Sequence, residues 1–186
     1  MDTITDTTAA SSPATSPERM ADTRHAESSL QSEIYKRHPF ETAAQEAFLN
    51  LLRTTSVLDA PFERLLRDHG LSTATYNVLR ILRGSGESGR VCHEIGRHLV
   101  ARVPDVTRLI DRLEKQGLAK RTRGDADRRL VRVVITQAGL DVLAKLDAPV
   151  MAAHQRQMSH MSDEELNTLS RLLAKARAPH LGESRE

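Results

Sequence analysis

A short basic segment beside a turn constrains the fold of this chain more than any other feature. Residues 121 to 133, RTRGDADRRLVRV, contain five arginines around a Gly-Asp-Ala-Asp turn. The β-branched residues after the turn predict a return strand, so residues 118 to 135 should form a β-hairpin with arginines at its tip. A surface strand needs few charges to stay soluble. So many cations at one tip therefore indicate an anionic target.

The charge of the chain is distributed unevenly. The 186 residues carry a formal net charge of only +2. Between Arg90 and Arg132, twelve lysines and arginines stand against six aspartates and glutamates, so this stretch carries +6 and the remainder −4. A basic module within a mildly acidic protein is typical of nucleic-acid binding.

Three features predict a cytoplasmic protein. The single cysteine, Cys92, excludes an internal disulfide framework and fits a reducing compartment. No apolar run approaches the roughly 20 residues of a membrane span. The N-terminal segment has neither the basic nor the apolar region of a secretory signal.

Composition and periodicity predict a mainly α protein with a small β-hairpin. The first residues are rich in Ser, Thr, Ala and Pro and lack an apolar period, which indicates a disordered tail. Helical spacing follows, with an apolar stripe from Ala44 to Leu58, and Pro61 either kinks or splits this first long helix. Ser72, Thr136 and a capping box that starts at Ser162 predict the starts of later helices, and residues 91–100 predict a short helix. The prediction is a disordered tail over residues 1–30 and one domain over residues 31–186. Within the domain, flanking helices occupy 31–70 and 137–180, a central lobe occupies 71–136, and the hairpin of that lobe occupies 118–135.

The helix before the hairpin is the most regular segment. On a helical wheel of residues 103 to 117, one side is apolar and the opposite side is charged. The apolar side holds Val103, Val106, Leu109, Ile110 and Leu113, and the charged side Pro104, Asp105, Arg108, Asp111, Arg112 and Lys115. Such a helix suits the DNA major groove, where arginine makes a bidentate contact with guanine. Alone it also fits an ordinary amphipathic helix, but the adjoining hairpin makes the pair a winged helix-turn-helix, with the wing in the minor groove.

The sequence here resembles a known family. The segment DVTRLIDRLEKQGLAKRTRGDADRRLVRVVITQAG is similar to the core signature of the multiple-antibiotic-resistance-regulator (MarR) family of winged helix-turn-helix repressors. The matching elements are T-R-L-I-D-R-L-E, G-L-x-x-R, D-x-D-R-R and I-T-x-x-G. The resemblance implies a homodimer that binds a pseudo-palindromic operator. It also implies release of the DNA by a small, often phenolic, ligand or by oxidation of a cysteine.

Residue by residue, the resemblance makes residues 103–117 the recognition helix, with Arg108 reading bases. It pairs Asp111 with Arg129 between that helix and the wing, and it places the dimer interface around residues 35–58 and 140–178. The expected DNA contacts are Arg102, Pro104, Asp105, Thr107, Arg108, Arg112, Lys115, Arg128 and Arg129.

Weaker signals concern ligands and redox chemistry. Family ligand pockets lie between the dimerisation helices and the DNA-binding lobe. The candidates for the lining of such a pocket are four bulky or polar-tipped residues that we expect in the interior: Phe48, Phe62, Tyr76 and His154. For each of them the alternative is a structural role in the core. Cys92 precedes His93 at the start of a short helix, so it is a candidate redox sensor, with an idle thiol as the alternative. With His98 five residues from His93 and no fourth ligand, no metal site is expected.

The sequence therefore predicts a sequence-specific, DNA-binding transcriptional regulator, a homodimeric repressor in the first instance, released by a small molecule. A redox-sensing regulator of the same fold and a sequence-nonspecific architectural DNA binder are the alternatives. A winged-helix protein-interaction module is a further one, which the exposed arginines disfavour. No enzyme signature or cofactor motif appears.

Overall fold

The structure, a computed structural model, describes residues 29–123 and 131–181. The chain divides into two compact units, Met1–Arg53 and Thr54–Glu186. The helices of the described residues are α1 (Ser29–Glu33), α2 (Ala43–Arg67), α3 (Thr73–Ser85), α4 (Cys92–His98), α5 (Val106–Lys115), α6 (Gln137–Met158) and α7 (Asp163–Arg177). The strands are β1 (Arg90–Val91), β2 (Ala119–Arg123) and β3 (Val131–Ile135), in one antiparallel sheet of order β1-β3-β2. The predicted mainly α class with a small β-hairpin is confirmed.

The first unit begins with α1. It includes the last two residues of the predicted disordered tail, Ser29 and Leu30, and Leu30 is buried. The rest of that predicted tail, residues 1–28, lies outside the described residues. An ion pair joins Glu33 to Arg53 at 3.3 Å. The predicted apolar stripe at the start of α2 is exposed, with Phe48 61% accessible.

The second unit has a continuous apolar core. Its fully buried apolar side chains come from helices α2 to α6 and from strand β3: Leu66, Val78, Leu79, Leu82, Ile95, Ile110, Leu113, Val133, Leu143 and Leu146. The core therefore fixes α5 and the sheet against α3 and α6. Each such side chain contributes roughly 1.5–3 kcal/mol through burial.

The predicted helix starts agree with the structure. The side chains of Ser72, Thr136 and Ser162 accept hydrogen bonds from backbone N–H groups of the first turns of α3, α6 and α7. Ser162 and Glu165 form the predicted capping box. Pro61 lies within α2, so the helix is not split there.

The short strand β1 was not predicted. The sequence favoured a helix from Val91 to Val100, but Arg90 and Val91 pair with Val133 and Arg132 of β3, and α4 begins only at Cys92. A strand of two residues is too short to show alternation. Its pairing is set by the partner strand, which a local pattern does not reveal.

Gly139 explains the I-T-x-x-G exit from the hairpin. Thr136 accepts a hydrogen bond from Gly139 N at 3.2 Å and donates one to Gly117 O at 2.7 Å. These bonds bring α6 so close to the preceding chain that a Cβ on Gly139 would lie 2.3 Å from Leu118 O. Only glycine fits, and α6 thereby follows directly from the base of the hairpin.

The ion pair between α3 and α6 predicts a pH dependence of stability. Arg83 donates hydrogen bonds to Asp147 at 2.8 and 2.9 Å, and these lower the pKa of Asp147 below its ordinary value of 3.8. Because the folded-state pKa is the lower one, the stabilisation is complete above about pH 4 and is lost as the pH falls through the folded-state pKa. Both side chains are partly exposed, so the loss should be under ~1 kcal/mol.

Urea unfolding between pH 7 and pH 2 measures this effect. Asp147→Asn should be slightly less stable than the unchanged protein at pH 7 and should lose less stability on acidification. Parallel curves for the two proteins would contradict the assignment.

Candidate nucleic-acid interface

The recognition helix α5 begins at Val106, three residues later than predicted. Asp105 is extended, with φ −142° and ψ 92°, and its Oδ1 accepts a hydrogen bond from Arg108 N at 3.0 Å. This carboxylate satisfies an N–H group that has no partner within the helix, so the helix starts after it. Val103 and Pro104 were wrongly assigned to the helix, although Val103 is still half-buried.

The two faces of α5 divide as the sequence predicted. Ile110 and Leu113 are fully buried, with Val106 and Leu109 packed around them. The predicted DNA contacts that the structure describes are all exposed: Arg102, Pro104, Asp105, Thr107, Arg108, Arg112 and Lys115. Arg128 and Arg129 lie outside the described residues.

Arg108 is a highly accessible cation on the exposed face of α5. Its side chain is 87% exposed and pairs with Asp105 at 3.1 Å. An exposed ion pair at this spacing is worth about 0–1 kcal/mol, so DNA can replace Asp105 as the partner at little cost. Asp105 was predicted only as a DNA contact, but it also caps α5 and pairs with Arg108.

The turn before α5 is held to α3. Asn77 Oδ1 accepts a hydrogen bond from Val100 N at 2.8 Å, just after α4 ends. Ile95 of α4 is fully buried in the core that also holds α5. Helices α4 and α5 therefore form a helix-turn-helix whose second helix presents its basic face outward.

An ionic cluster on Arg121 joins α5 to strand β2. Arg121 Nη2 donates to Asp111 Oδ1 at 2.8 Å, and Nη1 donates to Glu114 Oε2. The backbone N of Arg121 also donates to Glu114 Oε1 at 2.7 Å. The hydrogen bond to Asp111 is the main cause that raises the pKa of Arg121 above its ordinary value, so the residue stays cationic.

Arg121 is the arginine of the G-L-x-x-R element, but its pairing with Asp111 was not predicted. The family resemblance paired Asp111 with Arg129, which lies outside the described residues, so that pairing stays a prediction. Strand alternation was the available signal: Arg121 shares a face with Ala119, which is buried, and so lies on the side of the hairpin that meets α5. Two acids three residues apart on α5 complete the pattern.

Three of the four predicted ligand-pocket residues lie together in the second unit. Phe62 stacks on His154, with ring centroids 5.3 Å apart, and meets the edge of Tyr76 at 5.9 Å. We call Phe62, Tyr76 and His154 the aromatic cluster. Tyr76 OH accepts a hydrogen bond from Arg80 Nη1 at 3.0 Å. Phe48 belongs to the first unit, where it is exposed.

Cys92 is a half-buried free thiol at the first residue of α4. His98 interacts with Arg90, with Nε2 and Nη1 3.0 Å apart, and His93 is exposed. Within the part of the chain that the structure describes, no group of three or more His, Cys, Asp or Glu could hold a metal ion. The redox role of Cys92 stays a prediction.

An open groove of about 480 Å³ lies on the other face of the hairpin. It is lined by Arg83, Gly86, Glu87, Lys120, Thr122, Val134, Ile135 and Leu140. None of these residues belongs to α5 or to the aromatic cluster, and Arg83 is already bound to Asp147. The groove is therefore separate from both predicted sites.

The fold and the exposed basic helix beside a hairpin define a winged helix-turn-helix DNA-binding protein. Comparison with known proteins gives the family. A family model described as MarR family matches residues 69–130. A solved MarR transcription factor from Planctomyces limnophilus is 41% identical, with a TM-score of 0.56, and the match covers 73% of this chain and 98% of that one. This chain belongs to the MarR family.

Two further proteins are similar over long stretches. The transcriptional repressor IacR of Pseudomonas putida is 29% identical over 111 residues, and the match spans 60% of this chain and 65% of IacR. An organohalide-sensing regulator, RdhR-CbdbA1625, solved with 2,4-dichlorophenol bound, shares the fold with a TM-score of 0.72 at 22% identity. That match covers 81% of this chain and 91% of the regulator.

Family membership confirms the prediction of a transcription regulator as opposed to an enzyme. Among the described helices, none is both long and apolar enough to cross a membrane.

Proposed function

We propose that this protein is a transcriptional repressor that binds a pseudo-palindromic operator as a homodimer. The observation that carries the proposal is the exposed basic face of α5, held by its apolar face in the core and joined to the hairpin through Arg121. The similarity to the repressor IacR supports repression as opposed to activation. Because the partner is DNA, we also propose a cytoplasmic location.

In this proposal α5 lies in the major groove. Arg108 exchanges Asp105 for a guanine, while Arg112 and Lys115 bind phosphate. The hairpin follows α5 after a short turn. Arg128 and Arg129 lie outside the described residues, and we expect them to bind the neighbouring minor groove. Arg102, Pro104 and Thr107 lie at or before the first turn of α5, where backbone N–H groups favour a phosphate.

The homodimer is supported by exposed apolar residues in each unit. In the first unit Phe48, Leu51 and Leu52 are exposed on α2. In the second unit Met151 of α6 and Leu172 of α7 are exposed, and α7 has no buried residue although leucines recur along it. Clusters of exposed apolar side chains are typical of protein–protein interaction sites. A second copy of the chain would cover it.

Light scattering tests the dimer. The chain has a mass of 20.7 kDa, so we expect twice that mass at micromolar concentration. A dimer would place its two recognition helices about 34 Å apart, one turn of DNA. Leu172→Glu puts a charge into the proposed interface and should shift the mass toward the monomer. Arg97→Glu, at an exposed position on α4 outside that interface, serves as the control. A monomeric unchanged protein would contradict the proposal.

We further propose that a small aromatic or phenolic ligand releases the DNA. The support is the aromatic cluster, in which α2, α3 and α6 meet through three rings. A similar fold binds 2,4-dichlorophenol, which we take as the probe. It should raise the melting temperature of this protein, and His154→Ala, which changes an exposed side chain, should reduce the shift. An equal shift in both proteins would place the ligand elsewhere.

A further inference from the structure

The C-terminal end of α2 is bonded to the last turn of the recognition helix. Gly70 has φ +73°, which lets Gly70 N and Leu71 N turn back to Arg67 O and Leu66 O at 2.9 and 3.1 Å. The carbonyl of Gly70 accepts hydrogen bonds from Gln116 Nε2 at 3.0 Å and from Arg112 Nη2 at 3.4 Å. We call these two bonds the Gly70 contact.

We propose that Gln116 is a positioning residue, which sets the orientation of α5 for sequence-specific binding by holding it to Gly70. The proposal rests on the proposed function. Gln116 is the C-cap of α5, and its backbone N donates to Arg112 O at 3.1 Å, so its side chain is anchored to the helix it restrains. At this end α5 is also held by Leu113 in the core and by Glu114 through Arg121, so the Gly70 contact adds a restraint on the side of α2.

The two donors of the Gly70 contact have different capacities. Gln116 carries no charge, and its amide is oriented to Gly70, so its contribution to DNA affinity through charge is nil. Arg112 has five N–H donors and uses one on Gly70, which leaves the others for phosphate. Arg112 therefore serves both the contact and the DNA, whereas Gln116 serves the contact alone.

The Gly70 contact also gives α2 a direct connection to α5. Phe62 of the aromatic cluster lies on the same helix, eight residues before Gly70. A ligand that moves the end of α2 would move the acceptor of both bonds. Orientation of α5 decides the distance from Arg108 to base edges, but it hardly affects long-range attraction to phosphate, because that attraction falls slowly with distance.

The test compares Gln116→Met with Gln116→Lys and with the control Gln137→Met. Methionine keeps the length of the side chain but has no donor, and lysine restores a donor. Gln137 is also an exposed glutamine with one hydrogen bond, to Asp141 at 2.8 Å, but it lies at the start of α6. The measurement is the ratio of affinities for the operator recovered by selection and for a random duplex, with the slope of affinity against salt.

Gln116→Met should lower the ratio about fivefold, a loss within the range of one hydrogen bond. The salt slope and the melting temperature should stay unchanged, and base preference should weaken over the whole half-site. Gln116→Lys should restore most of the ratio, and Gln137→Met should leave it unchanged. An unchanged ratio in Gln116→Met overturns the proposal. So does a loss of preference at one base pair only, which would make Gln116 a direct base contact. If the unchanged protein itself shows no preference for any sequence, the proposed function fails instead.

Discussion

Replacing Asp111 with alanine should weaken operator binding by about tenfold, or ~1.4 kcal/mol, although it removes a negative charge from the DNA-binding helix. Asp111 holds Arg121 at 2.8 Å, and Arg121 holds the hairpin against α5. Without Asp111 the hairpin loses one of the ion pairs that hold it to α5, so we expect its arginines to bind the minor groove less well. Simple electrostatics predicts the opposite sign, because a carboxylate near phosphate is repulsive.

An Arg121→Met background separates the two effects. In Arg121→Met the ion pair with Asp111 is already absent, so a further Asp111→Ala change should no longer weaken operator binding and should slightly strengthen it. Arg121→Met alone should reduce operator affinity without changing the salt slope, because Arg121 is engaged by Asp111 and Glu114 and not by phosphate. Glu87→Ala, which removes an exposed acid from the groove on the other face of the hairpin, is the control for a general charge effect. Tighter binding by Asp111→Ala in the unchanged background would contradict the account.

Replacing Arg108 with alanine should cost tenfold or more on the operator and relax the preference at one base pair in each half-site. A bidentate contact between arginine and guanine discriminates by about 1–3 kcal/mol, whereas a phosphate contact adds nearly the same affinity for every sequence. Arg108 is the exposed residue in the first turn of α5 whose partner, Asp105, is easily displaced. Random DNA should therefore be affected much less.

Lys115→Ala is the matched comparison on the same helix. Lys115 is the last residue of α5 and should bind phosphate, so its loss should weaken all duplexes alike and flatten the salt dependence by about one unit of slope per site. Equal losses for operator and random DNA in Arg108→Ala would make Arg108 a phosphate contact as well.

The central lobe was predictable because its elements have strong local signals. The apolar spacing of Ile110 and Leu113 fixed the buried face of α5, and this also determined which cations are exposed. Caps at Ser72, Thr136 and Ser162 marked helix starts, because their side-chain oxygens accept hydrogen bonds from N–H groups that have no carbonyl acceptor in a preceding turn. The helical wheel started α5 too early, because Val103 has the spacing of the apolar face although it precedes Asp105, the residue that caps the start of the helix.

Features that depend on pairing between distant segments were not predictable. Five arginines lie within thirteen residues; strand alternation indicates which of them share the face that meets α5, but only the fold shows that Arg121 reaches Asp111. The Gly70 contact joins residues 46 positions apart through one backbone carbonyl, which no side-chain pattern announces. Likewise, bulk and polarity picked out Phe62, Tyr76 and His154, but their contact could be seen only in the fold.

Selection from a random-sequence duplex library by the full chain, followed by sequencing of the recovered DNA, tests the central claim most directly. The proposed homodimer should enrich an inverted repeat whose half-sites lie about ten base pairs apart, centre to centre. Arg108→Ala should enrich the same repeat with one position per half-site relaxed. Recovered duplexes with no shared sequence, or with a single unrepeated half-site, would contradict a dimeric sequence-specific repressor.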